Sequence, residues 1–140
     1  MKVFLSFTLF ILTISLSAQS VIGVWKTVDD TDGLDKSHVE LYEVGGKLHG
    51  KIIKLLAAAE GDKCLECKGD KKNAPLVDLE IIWNMKEKKG IYDGGKILDP
   101  KTGKEYKCKI TLGDDPSELK VRGYIGFSIM GRTQTWYRVD

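Results

Sequence analysis

Histidine, cysteine and proline are all scarce in this chain of 140 residues, with two, three and three copies respectively. The histidines are His38 and His49, and neither has a serine or cysteine neighbour at a spacing that would mark an acyl-transfer site. Cys64-x-x-Cys67 has no second cysteine pair and no adjacent histidines to complete a four-ligand zinc set, so no metal is expected. Asp29, Asp30 and Asp32 precede Gly33, but the full calcium-loop spacing is absent and a solvated turn is the simpler reading. Charge of one sign is lacking too, because 22 Lys+Arg stand against 20 Asp+Glu. Near-neutrality gives no reason to expect a nucleic-acid partner or a membrane-surface patch. The glycines and lysines of "GGKILDPKTGKEYKC" do not fit a phosphate loop, and no helix follows to present its N-terminus to an anion. No cofactor is expected.

A long hydrophobic run is also missing, except at the start. Val3 to Leu16 is almost wholly apolar, Lys2 precedes it, and Ser15, Ser17, Ala18 and Ser20 supply small residues after it. This pattern predicts a signal peptide over 1–20, cut between Ser17 and Ser20, and therefore export to the periplasm or the cell exterior. A membrane anchor is the alternative, but a span typically needs ~17 to 25 residues and this run is short. No integral membrane span is expected after cleavage. Residues 21–140 then form a single domain, large enough for a sizeable core.

Short alternating segments fill that domain. Candidate strands run over Gly23–Val28, His38–Val44, Lys47–Leu56, Val77–Met85, Ile91–Leu98, Glu105–Leu112, Glu118–Tyr124 and Thr133–Val139. In "EYKCKITL" the residues Tyr106, Cys108, Ile110 and Leu112 share one face and Lys107 and Lys109 the other, so Cys108 should point inward. Val39 and Leu41 oppose His38 and Glu40 in the same way, and Leu119 and Val121 oppose Lys120 and Arg122. Gly45-Gly46 suits a two-residue hairpin, and Lys86-Glu87-Lys88-Lys89 reads as a solvated turn. A helical turn after Leu55 is conceivable from Ala57 to Ala59, but the β-branched start of that segment favours a strand. These features predict an all-β fold, an antiparallel up-and-down barrel of about eight strands, with a β-sandwich as the alternative.

Barrel closure would explain the two ends of the domain. Gly23 permits close backbone approach, Trp25 supplies an apolar plug, and Trp136 lies in the closing strand with Arg138, or Arg132, available to lie across an indole. The long connection over 60–76 carries Cys64 and Cys67. An oxidising compartment permits a disulfide, and Cys64–Cys67 with Cys108 as a buried thiol is preferred over a bridge from Cys108 to the loop.

The G-x-W of Gly23 and Trp25, with an arginine at the opposite end, resembles the signature of lipocalin-like barrels. A wider resemblance links the chain to the small exported bacterial proteins grouped as domain of unknown function 2147. It is carried by "GVWKTVDD", "GGKLHGKIIKLL", Cys64-x-x-Cys67 with Pro75-Leu76-Val77, "GGKILDPKTGKEYKCKITL" and "LKVRGYIGFSIMGRTQTWYRV". The resemblance implies a compact β-rich exported domain and no reaction. Family members usually read Val-Gly before the fourth strand, where this chain reads Val77-Asp78.

The function expected is non-catalytic binding of a small hydrophobic or amphiphilic ligand. Arg122, Tyr124, Arg132 and Trp136 are the candidate binding residues, gathered at a barrel mouth if Gly123 and Gly126 bend the chain there. One alternative is an envelope structural or protein-interaction module. Another is an unrecognised envelope hydrolase or stress-response enzyme using Asp29, Arg122, Tyr124 and Arg132.

Overall fold

A computed structural model describes residues 19–127 and 129–139. Apart from Gln19 and Ser20, the signal-peptide segment lies outside the described residues. Eight antiparallel strands close into one barrel in sequence order: β1 (Gly23–Val28), β2 (Asp35–Val44), β3 (Lys47–Leu55), β4 (Glu80–Lys88), β5 (Ile91–Asp99), β6 (Lys104–Leu112), β7 (Glu118–Tyr124) and β8 (Gly131–Arg138). Closure rules out the two-sheet sandwich. The seam joins Trp25 of β1 to Arg138 of β8 and Lys26 to Tyr137, and beyond it the Val139 amide donates to the Val24 carbonyl at 2.9 Å.

The two-residue period decides what each strand buries. Val39 and Leu41 on β2, Cys108 and Ile110 on β6, and Leu119 and Val121 on β7 all face the core, while their neighbours face out. Gly45 and Gly46 both take positive φ, 58° and 74°, giving the tight hairpin between β2 and β3. β2, β3, β6 and β7 therefore each carry one apolar and one polar face, which is how a chain with so few continuous hydrophobic runs still builds a core.

The fourth strand begins later than its apolar start suggests. Val77–Met85 is corrected to Glu80–Lys88. Asp78 adopts φ 68°, a left-handed conformation that breaks an extended chain. Leu76 to Leu79 instead makes a turn, the Leu79 amide donating to the Leu76 carbonyl, and Asp78 N–H docks it on the Ile52 carbonyl of β3 at 2.7 Å. At the far end of the strand, Lys86, Glu87 and Lys88 belong to β4 rather than to a turn, and Lys89-Gly90 makes the reversal. Directly after Leu55 the chain makes a single turn, the Ala59 amide donating to the Leu56 carbonyl at 2.9 Å, and no helix forms there. Between β3 and β4 the chain forms a flattened excursion with one short 3-10 turn (Gly69–Lys71), a lone bridge from Lys63 to Pro75, and a Cys64–Cys67 disulfide. Cys108 is a buried free thiol, so the alternative bridge from Cys108 is excluded.

Candidate functional site

The two ends of the barrel differ. At the end holding the β2–β3, β4–β5 and β6–β7 turns, Trp25 is fully buried and its Nε1–H donates to the Val21 carbonyl at 2.8 Å. The Arg138 guanidinium lies 4.2 Å from the centre of the Trp25 ring and donates to the Ile22 and Ser20 carbonyls. Gly23, at φ 133°, makes room for it, since a Cβ there would stand 3.1 Å from an Arg138 nitrogen. Gly23, Trp25 and Arg138 thus meet at the seam. Trp136 sits one residue pair inward, opposite Leu119.

The opposite end is open. A cavity of about 800 Å³ enters between the β1–β2, β3–β4, β5–β6 and β7–β8 connections. Ile52, Leu55, Ile81, Ile97, Leu98 and Val121 make its apolar walls, and Trp136 also lines it. A polar strip runs down one side. Thr27 and Ser37, both buried, share a hydroxyl–hydroxyl bond of 2.9 Å, and Gln134 accepts from the Trp136 indole N–H at 2.9 Å. Gln134 Nε2 donates in turn to Asp30, whose carboxylate is also held by Arg132. The volume and the mixture of apolar walls with a few directed polar groups lie in the range of small-molecule sites.

Charged side chains of both signs stitch the rim across loops. Arg132 pairs with Asp30 at 2.7 Å, Lys36 with Asp32 at 2.7 Å, and Lys101 with Glu60 at 3.0 Å. The Thr31 amide donating to Asp29 holds that carboxyl below its ordinary value. A hydrogen bond from Lys36 does the same for Asp32, and one from Lys101 for Glu60. Deep in the wall, burial alone pushes the Cys108 thiol up to about 12.

Of the four residues expected at the mouth, Tyr124, Arg132 and Trp136 line the cavity. Arg122 is not among the residues that line it. The strand period that turns Val121 inward turns Arg122 outward, where it donates to the Thr133 hydroxyl at 2.8 Å and the Ile129 carbonyl. Gly123 likewise does not bend the chain but lies within β7 opposite Cys108 and Arg132, and only Gly126 takes a positive φ. Asp29 joins Tyr124 and Arg132 at the rim. His38 and Glu40 stand beside inward-facing Val39 on the outer face of β2. The sequence does not mark Thr27, Ser37 or Gln134 as site residues, and it places Asp30 only in a solvated turn. For the first two a signal existed, since they extend the inward series of Trp25 and of Leu41 and Val39 by one period.

Among the described residues, no group of histidine, cysteine and carboxylate side chains is arranged to hold a metal ion. No helix there is long and apolar enough to cross a membrane.

The same barrel occurs in protein HP1028 from the human pathogen Helicobacter pylori, a solved structure described as belonging to the lipocalin family. The two superpose with a TM-score of 0.77 over 88% of this chain and 85% of that one, at 21% sequence identity. At that identity the likeness speaks for the fold alone, a lipocalin-type barrel of the sort consistent with small-molecule binding in general. No curated protein matches the chain. Residues 23–138, nearly the whole barrel, match the family model described as "Uncharacterized protein conserved in bacteria (DUF2147)", and the chain belongs to that family.

Proposed function

We propose that this protein is an exported, non-catalytic binder of a small amphiphile, holding the apolar part of the molecule in the barrel and its polar end at the rim. The observation that carries the reading is the cavity of about 800 Å³, walled largely by aliphatic side chains and opening at the end away from Trp25. The rim offers both signs of charge, Arg132, Lys36 and Lys101 against Asp30, Asp32 and Glu60, which suits a polar or zwitterionic head better than a bare hydrocarbon. Export is supported by the apolar run from Val3 to Leu16 and is compatible with the Cys64–Cys67 disulfide.

The test is a homologous series of alkyl amphiphiles displacing an environment-sensitive dye. Each added methylene should tighten binding about fourfold, as burial of ~0.8 kcal/mol per CH₂ requires, until the cavity is full. Gly123→Leu should abolish the effect while the fold persists. A Cβ at Gly123 makes only ordinary contacts, 3.5 Å to Tyr106 and 3.6 Å to Ile97, and the longer side chain would extend into the cavity. Binding that is indifferent to chain length, or unchanged in Gly123→Leu, would overturn the proposal.

A further inference from the structure

The near-neutral net charge conceals a local segregation. Lys107 and Lys109 on β6 and Lys120 and Arg122 on β7 alternate with the inward-facing Cys108, Ile110 and Val121, so all four stand on one outer wall. The register places Lys109 opposite Arg122 and Lys107 opposite Tyr124. The carboxylates on the same wall lie toward its margins, Glu105 beside Lys96 and Glu118 beside Lys120.

Directly above this wall the β7–β8 connection projects at the open end of the barrel. It carries Ile125, Phe127, Ile129 and Met130, which are 67%, 80%, 85% and 71% exposed. Two of the wall's cations brace the connection from below. Lys107 Nζ donates to the Gly126 carbonyl at 3.3 Å, and Arg122 donates to the Ile129 carbonyl at 3.3 Å. Leu34 and Leu65, both more than half exposed, lie in other connections at the same end. Four large apolar side chains on one projecting turn are not the scattered surface hydrophobes of an ordinary soluble domain. They are also too few to bury the roughly 800 Å² per partner of a standard protein interface.

We infer that this turn seats the open end of the barrel on a lipid surface rich in anionic headgroups. Phe127 and Ile129 enter the interface, and the basic wall of β6 and β7 meets the headgroups. An apolar wedge beside a basic collar is the arrangement that binds such surfaces, because burial and electrostatic attraction act together and neither suffices alone. The inference goes beyond ligand binding and does not need it, since Phe127 and Ile129 do not line the cavity.

Flotation with vesicles of phosphatidylcholine alone, or mixed with phosphatidylglycerol, tests it on the protein with the N-terminus that the cell leaves on it. The protein should float with the mixed vesicles and only weakly with the neutral ones. Phe127→Ser/Ile129→Ser and Lys107→Glu/Lys109→Glu should each weaken binding on the order of tenfold or more, with the circular dichroism and dye binding of the parent retained. Added to Phe127→Trp, mixed vesicles should shift tryptophan emission to the blue. No flotation overturns the inference, as does flotation unchanged by Phe127→Ser/Ile129→Ser, which would place the anchor elsewhere in the chain. A stationary Phe127→Trp spectrum overturns it equally. So does light scattering that shows a dimer dissociated by Phe127→Ser/Ile129→Ser, which would make the occupant a second copy.

Discussion

At the end of the barrel where Trp25 lies, the inward positions hold large side chains: Trp25, Leu41, Leu48, Met85, Ile110 and Leu119, all essentially inaccessible. Followed toward the other end, the same strands offer Thr27 after Trp25, Ser37 after Leu41 and Val39, and Gly123 after Leu119 and Val121. The same eight strands run through both ends. What separates them on β1, β2 and β7 is side-chain volume along the inward series, so one architecture yields a packed plug and a hollow chamber. Packed core and open cavity thereby occupy different halves of one molecule, and substitutions should report which half they strike.

The sharpest contrast comes from truncating an aromatic residue in each half. Trp25→Ala removes a buried ring and the partner of Arg138, and should cost about 3–5 kcal/mol in urea unfolding. Tyr124→Ala at the rim should cost less than about 1 kcal/mol. Comparable losses would mean that the rim is part of the core and the division into halves is wrong.

The glycines make a finer comparison. Gly23→Ala forces a side chain into a positive-φ position 3.1 Å from the Arg138 guanidinium and should destabilise by about 1–3 kcal/mol. Gly123→Ala meets only ordinary contacts and should stay within about 0.5 kcal/mol. Asp78→Gly, which supplies the residue that best tolerates φ 68°, should be neutral or stabilising by less than about 1 kcal/mol. A clear loss there would show that the Asp78 side chain has a role of its own.

Acidification should separate the halves without any substitution. Asp29 and Glu60 titrate below their ordinary values of 3.8 and 4.5, so the stability they lend the rim is intact above that range and disappears as pH falls through their lowered values. Hydrogen-exchange protection of the Thr31 and Leu34 amides, which donate to Asp29 and Asp32, should fall first. The strand amides around Trp25 should hold. Uniform loss along the barrel would deny the rim any independent stability.

The fold was largely legible because a barrel wall exposes alternate residues, and alternation can be read from one strand at a time. Lys107-Cys108-Lys109-Ile110 and Leu119-Lys120-Val121-Arg122 needed no partner to be oriented. Closure was legible from Gly23, Trp25 and Arg138, residue types whose joint presence makes sense only if they touch. The start of β4 was not, because Leu76 and Val77 have strand-like composition while the break at Asp78 depends on docking against Ile52. The candidate site was half legible. Arg132, Tyr124 and Trp136 carried conspicuous chemistry, but grouping Arg122 with them ignored the alternation that Val121 had already fixed. Thr27, Ser37 and Gln134 are not legible as cavity residues because the space they border is created by residues distant in sequence.

The seam between β1 and β8 joins the first strand of the domain to the last, with Trp25 and Arg138 separated by nearly its whole length. β8 must therefore leave the ribosome before the wall can be sealed, and until then β1 has only β2 beside it. Sealing is therefore late and rests on one distant pairing, whose long loop closure slows that step. A polypeptide that stays unsealed until its closing strand appears remains threadable through a narrow pore up to that moment.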